Sequence, residues 1–317
     1  MTMIDNLLDP TILFFIVGIV AGIVRSELRL PEAIYEILSI YLLLAIGIKG
    51  GLQLSTSKWS AIVLPCLGAV SVGLVIPVIA YPILRRLGKL SRPDAAAIAA
   101  HYGSVSAVTY AVVLSFLDKL NVPYEEYTTV LLVLLEIPAI AVGILIARLR
   151  TAQGTISYRR LAHEVFFGKS IYLLIAGLVV GVVGGPEGIA PVKLVFIDPF
   201  KGALAFFLLE MGLVASHRLS DLKRTGVFLV LFGIGMPILS AAIGTVVGWG
   251  VGLSIGGTTI LATLAGSASY IAAPAAMRIA VPEANPTLYL TAALGVTFPF
   301  NLVFGIPLYY HMATLIH

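Results

Sequence analysis

The chain has 317 residues, of which 59% are hydrophobic and only 11% charged, and its mean hydropathy is +1.03. A soluble domain of this size needs a polar surface, with about a quarter of its residues charged, so this composition excludes one and makes lipid the solvent for most of the exterior. The net charge of +4 comes without a basic stripe carrying interleaved aromatics, which argues against a nucleic-acid partner.

The first nine residues, Met1 to Asp9, are acidic and no small-residue cleavage pattern follows, so a cleaved signal peptide is not expected. Crossing about 30 Å of hydrocarbon takes about 20 apolar residues. Ten such runs follow in order, at 8–25, 32–51, 59–84, 94–117, 126–149, 168–185, 197–216, 225–250, 256–280 and 286–314. Backbone amides cannot stay unpaired in lipid, so the runs read as helices rather than open strands. The polar stretch Thr151 to Glu164 falls near the midpoint and reads as a cytoplasmic linker. This gives a first five-helix half over 1–150, a linker over 151–167 and a second half over 168–317.

The basic residues set the orientation. With the N-terminus outside, the inner segments hold 15 of the 20 lysines and arginines, and the outer ones keep Lys49, Lys58, Lys119, Lys193 and Lys201. That is the positive-inside pattern, and it places both termini in the periplasm. Trp59, Trp249 and Tyr309-Tyr-His311 read as interfacial anchors, and Lys49 as an outer-face anchor or an anion attractor.

Three segments recur in order. Leu42–Ser55 aligns with Phe207–Ser220, Gly103-Ser-Val-Ser-Ala107 with Gly266-Ser-Ala-Ser-Tyr270, and Leu135-Glu-Ile-Pro138 with Val296-Thr-Phe-Pro299. The offsets are 165, 163 and 161 residues. A repeat of five spans must enter the membrane in the opposite sense the second time. The expected fold is therefore an all-α membrane protein of ten transmembrane helices, in two inverted five-helix repeats.

The paired Gly-Ser-x-Ser elements lie in the fourth and ninth spans, where helices broken at glycine are expected. Paired, glycine-interrupted spans in two halves point to a midplane binding site. A new helix N-terminus offers free N–H groups and the positive end of a dipole, which suits an anion. The candidate anion-binding residues are Gly103, Ser104, Val105, Ser106 and Ala107, with Gly266, Ser267, Ala268, Ser269 and Tyr270. Taken singly, such small residues also serve close helix packing. Glu136 lies inside the fifth span, where a carboxylate is costly and marks a cation ligand or proton carrier unless it pairs with His101. Its counterpart is Thr297, near Asn301, where Pro299 frees backbone carbonyls. Glu210 suits either an ion pathway or a cytoplasmic helix end. Cys66 is the single cysteine, and the five histidines show no metal-binding spacing. Gly168-Lys-Ser170 lacks the glycine loop of a phosphate cradle.

These serine elements, Glu136-Ile-Pro138, Ile46-Gly-Ile-Lys-Gly-Gly51 and Arg278-Ile-Ala-Val-Pro-Glu-Ala-Asn-Pro286 together resemble the sodium-dependent bicarbonate transporter superfamily, over essentially the whole chain. The resemblance implies sodium/bicarbonate symport across a bacterial inner membrane by a homotrimer. It implies a core of spans three to five and eight to ten, a gate of spans one, two, six and seven, and a PII-like cytoplasmic regulator. It puts bicarbonate between the broken spans, and sodium, the coupling ion, nearby on backbone carbonyls and on side chains including Ser106 and Glu136; Thr297 and Asn301 join the candidate sodium site through the internal symmetry, and no other cofactor or metal is expected. Tyr270 and Glu136 stand where that family's pattern has aspartate. A cation/proton antiporter and a non-transporting anion sensor remain alternative readings.

Overall fold

The computed structural model describes residues 9–55, 59–148, 159, 163 and 167–317, with side chains left aside at 59–60 and 219–225. The linker expected over 151–167 lies outside the described residues except at 159, 163 and 167. Helix is the regular secondary structure of the described residues, with no strand among them. In chain order they form α1 (Pro10–Ile23), α2 (Glu32–Leu54), α3 (Trp59–Pro82), α4 (Arg92–Gly103), α5 (Ala107–Lys119), α6 (Thr128–Arg148), α7 (Lys169–Ile189), α8 (Lys193–Phe196) and α9 (Phe200–Gly250). After these come α10 (Ile255–Ala265), α11 (Ala272–Ala280) and α12 (Pro286–Ile316).

Among the described residues, eight helical stretches are long and apolar enough to cross a bilayer, against ten expected. The remaining two, Pro10–Ile23 and Ile255–Ala265, are apolar but shorter. The second of these is short because the ninth run breaks after Ala265. The fourth run breaks too, between α4 and α5. The seventh and eighth runs join into α9, whose continuity is interrupted only at Gly226, where φ is +80° and ψ is 158°. That left-handed backbone divides α9 into arms Phe200–Arg218 and Gly226–Gly250, each of spanning length.

Glycines decide which helices touch. The Cβ of a side chain at Gly18 or Gly22 in α1 would collide with Leu209, Gly212 or Ser216 in the first arm of α9. At Gly47 and Gly51 in α2 it would collide with Leu174, Gly177, Leu178 or Gly181 in α7. The two contacts correspond position by position: Gly18 and Gly22 precede Gly177 and Gly181 by 159 residues, and Gly47 and Gly51 precede Gly212 and Ser216 by 165. A second matched pair lies deeper. Gly73 in α3 packs on Leu135 of α6, and Gly233 in the second arm of α9 packs on Val296 of α12. Pro77 meets Gly103, and Pro237 meets Gly266.

One of the expected anchors sits differently. Tyr309 is fully buried, its hydroxyl donating to Asn301 Oδ1 at 2.7 Å, because it packs against the second break rather than the interface. Lys49 is held over the Phe200 ring at 5.3 Å. Trp249 is 52% exposed, as an anchor should be.

Because α2 and α7 approach through bare backbone, Gly47→Val should force them apart, at a cost of about 1–3 kcal/mol. Its thermal melt in detergent should fall below that of Gly250→Val, where nothing lies within 4 Å of an added Cβ.

Candidate functional site at two broken helices

α4 is an alanine-rich helix started by Ser91, whose hydroxyl caps it at Asp94 N–H. It stops at Gly103, and Ser104 turns to φ −85° and ψ 167°. Ser106 is extended as well, at φ −111° and ψ 113°, and its side chain caps α5 by accepting from Thr109 N–H at 3.1 Å. The second break runs from Gly266 to Ile271, and α11 starts without a side-chain cap at its own N-cap residue. Ser269 covers part of that end by accepting from Ala273 N–H at 3.2 Å.

Each break completes the other's backbone. Ser106 N–H donates to Ser267 Oγ at 3.0 Å, and Ser269 N–H donates to the His101 carbonyl at 2.8 Å. Ser267 in turn donates to Leu264 O at 2.8 Å. All ten residues named for the anion site from the sequence sit in these two breaks. Ser104, Val105, Ser106, Ser267, Ala268, Ser269 and Tyr270 are buried, and so are Gly103 and Gly266, with Ala107 half-buried.

Some of the polar atoms remain uncommitted. Ser104 Oγ has no hydrogen bond. Ser106 Oγ accepts from Thr109 N–H and from Thr109 Oγ1–H, which leaves its own proton free to donate. The Tyr270 hydroxyl approaches Ser106 without making a hydrogen bond of ordinary length. The first amides of α5, at Ala107 and Val108, lack acceptors in their own helix. This end of the crossing is thus a concentration of unused donors. The space beside Ala107 and Val108 is only about 10 Å³, whereas a cavity of about 220 Å³ reaches the second break at Ile271 and Ala272.

Glu136 is 4% exposed and has no hydrogen bond or ion pair among the described residues. Ala139, one turn on, lies against Gly103, so α6 turns this side toward the first break. The alternative pairing with His101 is absent. His101 Nδ1–H donates to Ala97 O at 2.7 Å, its ring stacks on Tyr289 with centroids 4.3 Å apart, and Nε2 has no partner. Thr297 and Asn301 are buried and occupied. Thr297 Oγ1 donates to Gly233 O and accepts from Tyr102 OH, both at 2.7 Å. Asn301 Nδ2 donates to Gly266 O at 2.8 Å. Asn301 therefore braces the second break, Thr297 ties α12 to α9 and to α4 beside the first break, and no hydrogen bond joins either to Glu136. Both lie in or beside π-helical turns, Thr291–Thr297 and Asn301–Gly305, flanking Pro299. Such turns are frequent at functional sites.

Sequence reasoning missed Tyr102 and Tyr289 and put Tyr309 at the interface, although all three hold the breaks in place, because a buried tyrosine in an apolar span carries no periodic signal. It also missed Glu125, which accepts from the Ser254 backbone and hydroxyl at the start of α10.

Comparison with protein families matches residues 10–314 to the Na+-dependent bicarbonate transporter superfamily. The chain belongs to that superfamily. No individual curated protein is significantly similar to it. Membership makes this a multi-pass membrane transporter, in agreement with the apolar helices.

Ser267→Ala would leave Ser106 N–H without an acceptor in a buried break, a loss of about 1–3 kcal/mol. Amide exchange across 104–107 should quicken in detergent, while exchange in α2 and α7 stays unchanged.

Proposed function

We propose that the chain is a sodium-coupled secondary transporter that imports bicarbonate, or a closely similar small anion, by alternating access. The observation that carries this is the pair of helix breaks, hydrogen-bonded to each other, with unused donors gathered at the start of α5. A trigonal oxyanion needs several donors converging on it. Ser104, Ser106, Tyr270 and the amides of Ala107 and Val108 supply them without a cationic side chain. Gly103, Val105, Gly266, Ser267, Ala268 and Ser269 shape the two breaks around them. The superfamily's description, naming sodium and bicarbonate, supports the same assignment.

On this reading sodium binds beside the anion. Glu136 is the side chain best suited to it, being a buried carboxylate facing the first break with no partner of its own. Ser106 would add its hydroxyl, and Thr297 and Asn301 would join by exchanging their present protein partners. The matched glycine contacts, shifted by 159 and 165 residues, favour two inverted five-helix repeats. α1, α2, α7 and the first arm of α9 then form the gate. The core is α3 to α6, with the second arm of α9 and α10 to α12. A homotrimer in a bacterial inner membrane, with periplasmic termini and a PII-like regulator, completes the proposal.

The unpaired Glu136 equally favours cation/proton exchange as a second reading, and one assay separates the two. In proteoliposomes, labelled bicarbonate uptake should rise when sodium replaces potassium and should not need a proton gradient. Glu136→Gln should lower the sodium-stimulated rate about 10- to 100-fold, the worth of a hydrogen bond to a charged group. Uptake indifferent to sodium, or sodium uptake that makes the lumen more alkaline without bicarbonate, would reject the proposal.

A further inference from the structure

The correspondence between α1 and α7 that aligns Gly18 with Gly177 also aligns Asp9, Thr11 and Ile12 with Gly168, Ser170 and Ile171. The offset between the serine elements aligns Val112 of α5 with Ala275 of α11. These residues line two cavities at equivalent places. One lies between the start of α1 and α5, the other between the start of α7 and α11. The two differ greatly in size. The cavity at Gly168, Ser170, Ile171 and Ala275 holds about 220 Å³ and reaches the second break at Ile271. Its counterpart at Asp9, Thr11, Ile12 and Val112 holds about 10 Å³.

A specific contact sits at the collapsed one. Lys119 Nζ, in the last turn of α5, lies 3.2 Å from Asp9 Oδ2 just before α1. The equivalent positions on the other side are Gly168 and Pro282, which cannot form such a pair. Two further ion pairs occur among the described residues. Lys169 with Glu36 joins α7 to α2, within the proposed gate, and Arg148 with Glu283 joins α6 to the turn before α12, within the proposed core. Asp9 with Lys119 is the ion pair among these three that ties gate helix to core helix.

We propose that Asp9 and Lys119 form a latch that keeps the outer face closed, and that this structure is the state open toward the Gly168 side. This rests on the alternating-access reading. A latch must release as well as hold, and the partial exposure of the pair, 42% for Lys119 and 19% for Asp9, suits that. An ion pair of this kind shifts a two-state equilibrium by up to about fivefold, enough to bias access without locking it.

The test reads access directly in detergent-solubilised protein, on a Cys66→Ser background, with a maleimide and single reporters Ser115→Cys and Ala275→Cys. Asp9→Asn and Lys119→Met should each speed labelling at position 115 by about two- to fivefold, while labelling at 275 stays level or falls. The doubly swapped chain, Asp9→Lys with Lys119→Asp, should return both rates toward those of the native pair. A purely local effect of charge on the thiol would move the two single variants in opposite directions, and unfolding would raise labelling at both reporters. Either result, unchanged labelling at 115, or no recovery on swapping would overturn the latch. Absence of sodium-stimulated uptake by the native chain would instead reject the transport reading, and labelling reports on the latch independently of it.

Discussion

Interrupting a helix inside an apolar medium frees N–H and carbonyl groups that lipid cannot satisfy, each at a cost of several kcal/mol. Two interruptions are tolerated here because they face one another. Ser106 N–H reaches Ser267 Oγ, and Ser269 N–H reaches the His101 carbonyl. Neither break would be sustainable alone at that depth. The crossing thus requires both halves of the chain, and much of the surrounding packing serves to hold it. Pro77 and Pro237 press on Gly103 and Gly266, and Asn301 fixes the Gly266 carbonyl.

What the crossing leaves unsatisfied is as informative as what it satisfies. Ser104 Oγ, the Ser106 proton and the Tyr270 hydroxyl point to a polar ligand, since buried polar groups otherwise find partners. Glu136 adds a carboxylate without a partner on the face of α6 turned to the same break. Donors for an anion and an acceptor for a cation, drawn from adjacent elements, are the ingredients of coupled binding. On the proposed reading, binding either ion would lower the cost of burying the other's partners.

The glycine seams serve a different end. α1 with the first arm of α9, and α2 with α7, touch through backbone at Gly18, Gly212, Gly47 and Gly177. Such seams make stiff helix pairs, because close backbone contact leaves no side chains to rearrange. Under the proposed alternating access, rigid pairs beside a hydrogen-bonded crossing would let gate and core move against each other with little internal change. The unequal cavities at the starts of α1 and α7 show that near-equivalent surroundings can adopt different separations in one molecule.

Composition and the glycine-serine interruptions by themselves pointed to lipid as the solvent and located both breaks, while two of the ten expected runs, at Pro10–Ile23 and Ile255–Ala265, are shorter than a span among the described residues. Lipid permits few charges and demands long apolar runs, and a glycine-serine interruption stands out against them. The positions of Ser104, Ser106, Ser267 and Ser269 were legible for the same reason. Only the tertiary structure decided which hydroxyls are consumed and which are free. That depends on distant partners, 161 residues apart for Ser106 and Ser267 and 195 for Tyr102 and Thr297, as well as on local ones such as Thr109 for Ser106. It also decided that Tyr309 faces inward and that His101 stacks on Tyr289 instead of pairing with Glu136. A buried tyrosine or histidine in an apolar run has the same sequence surroundings whichever way it points. Its direction is set by the helix packed against it, which local sequence does not encode.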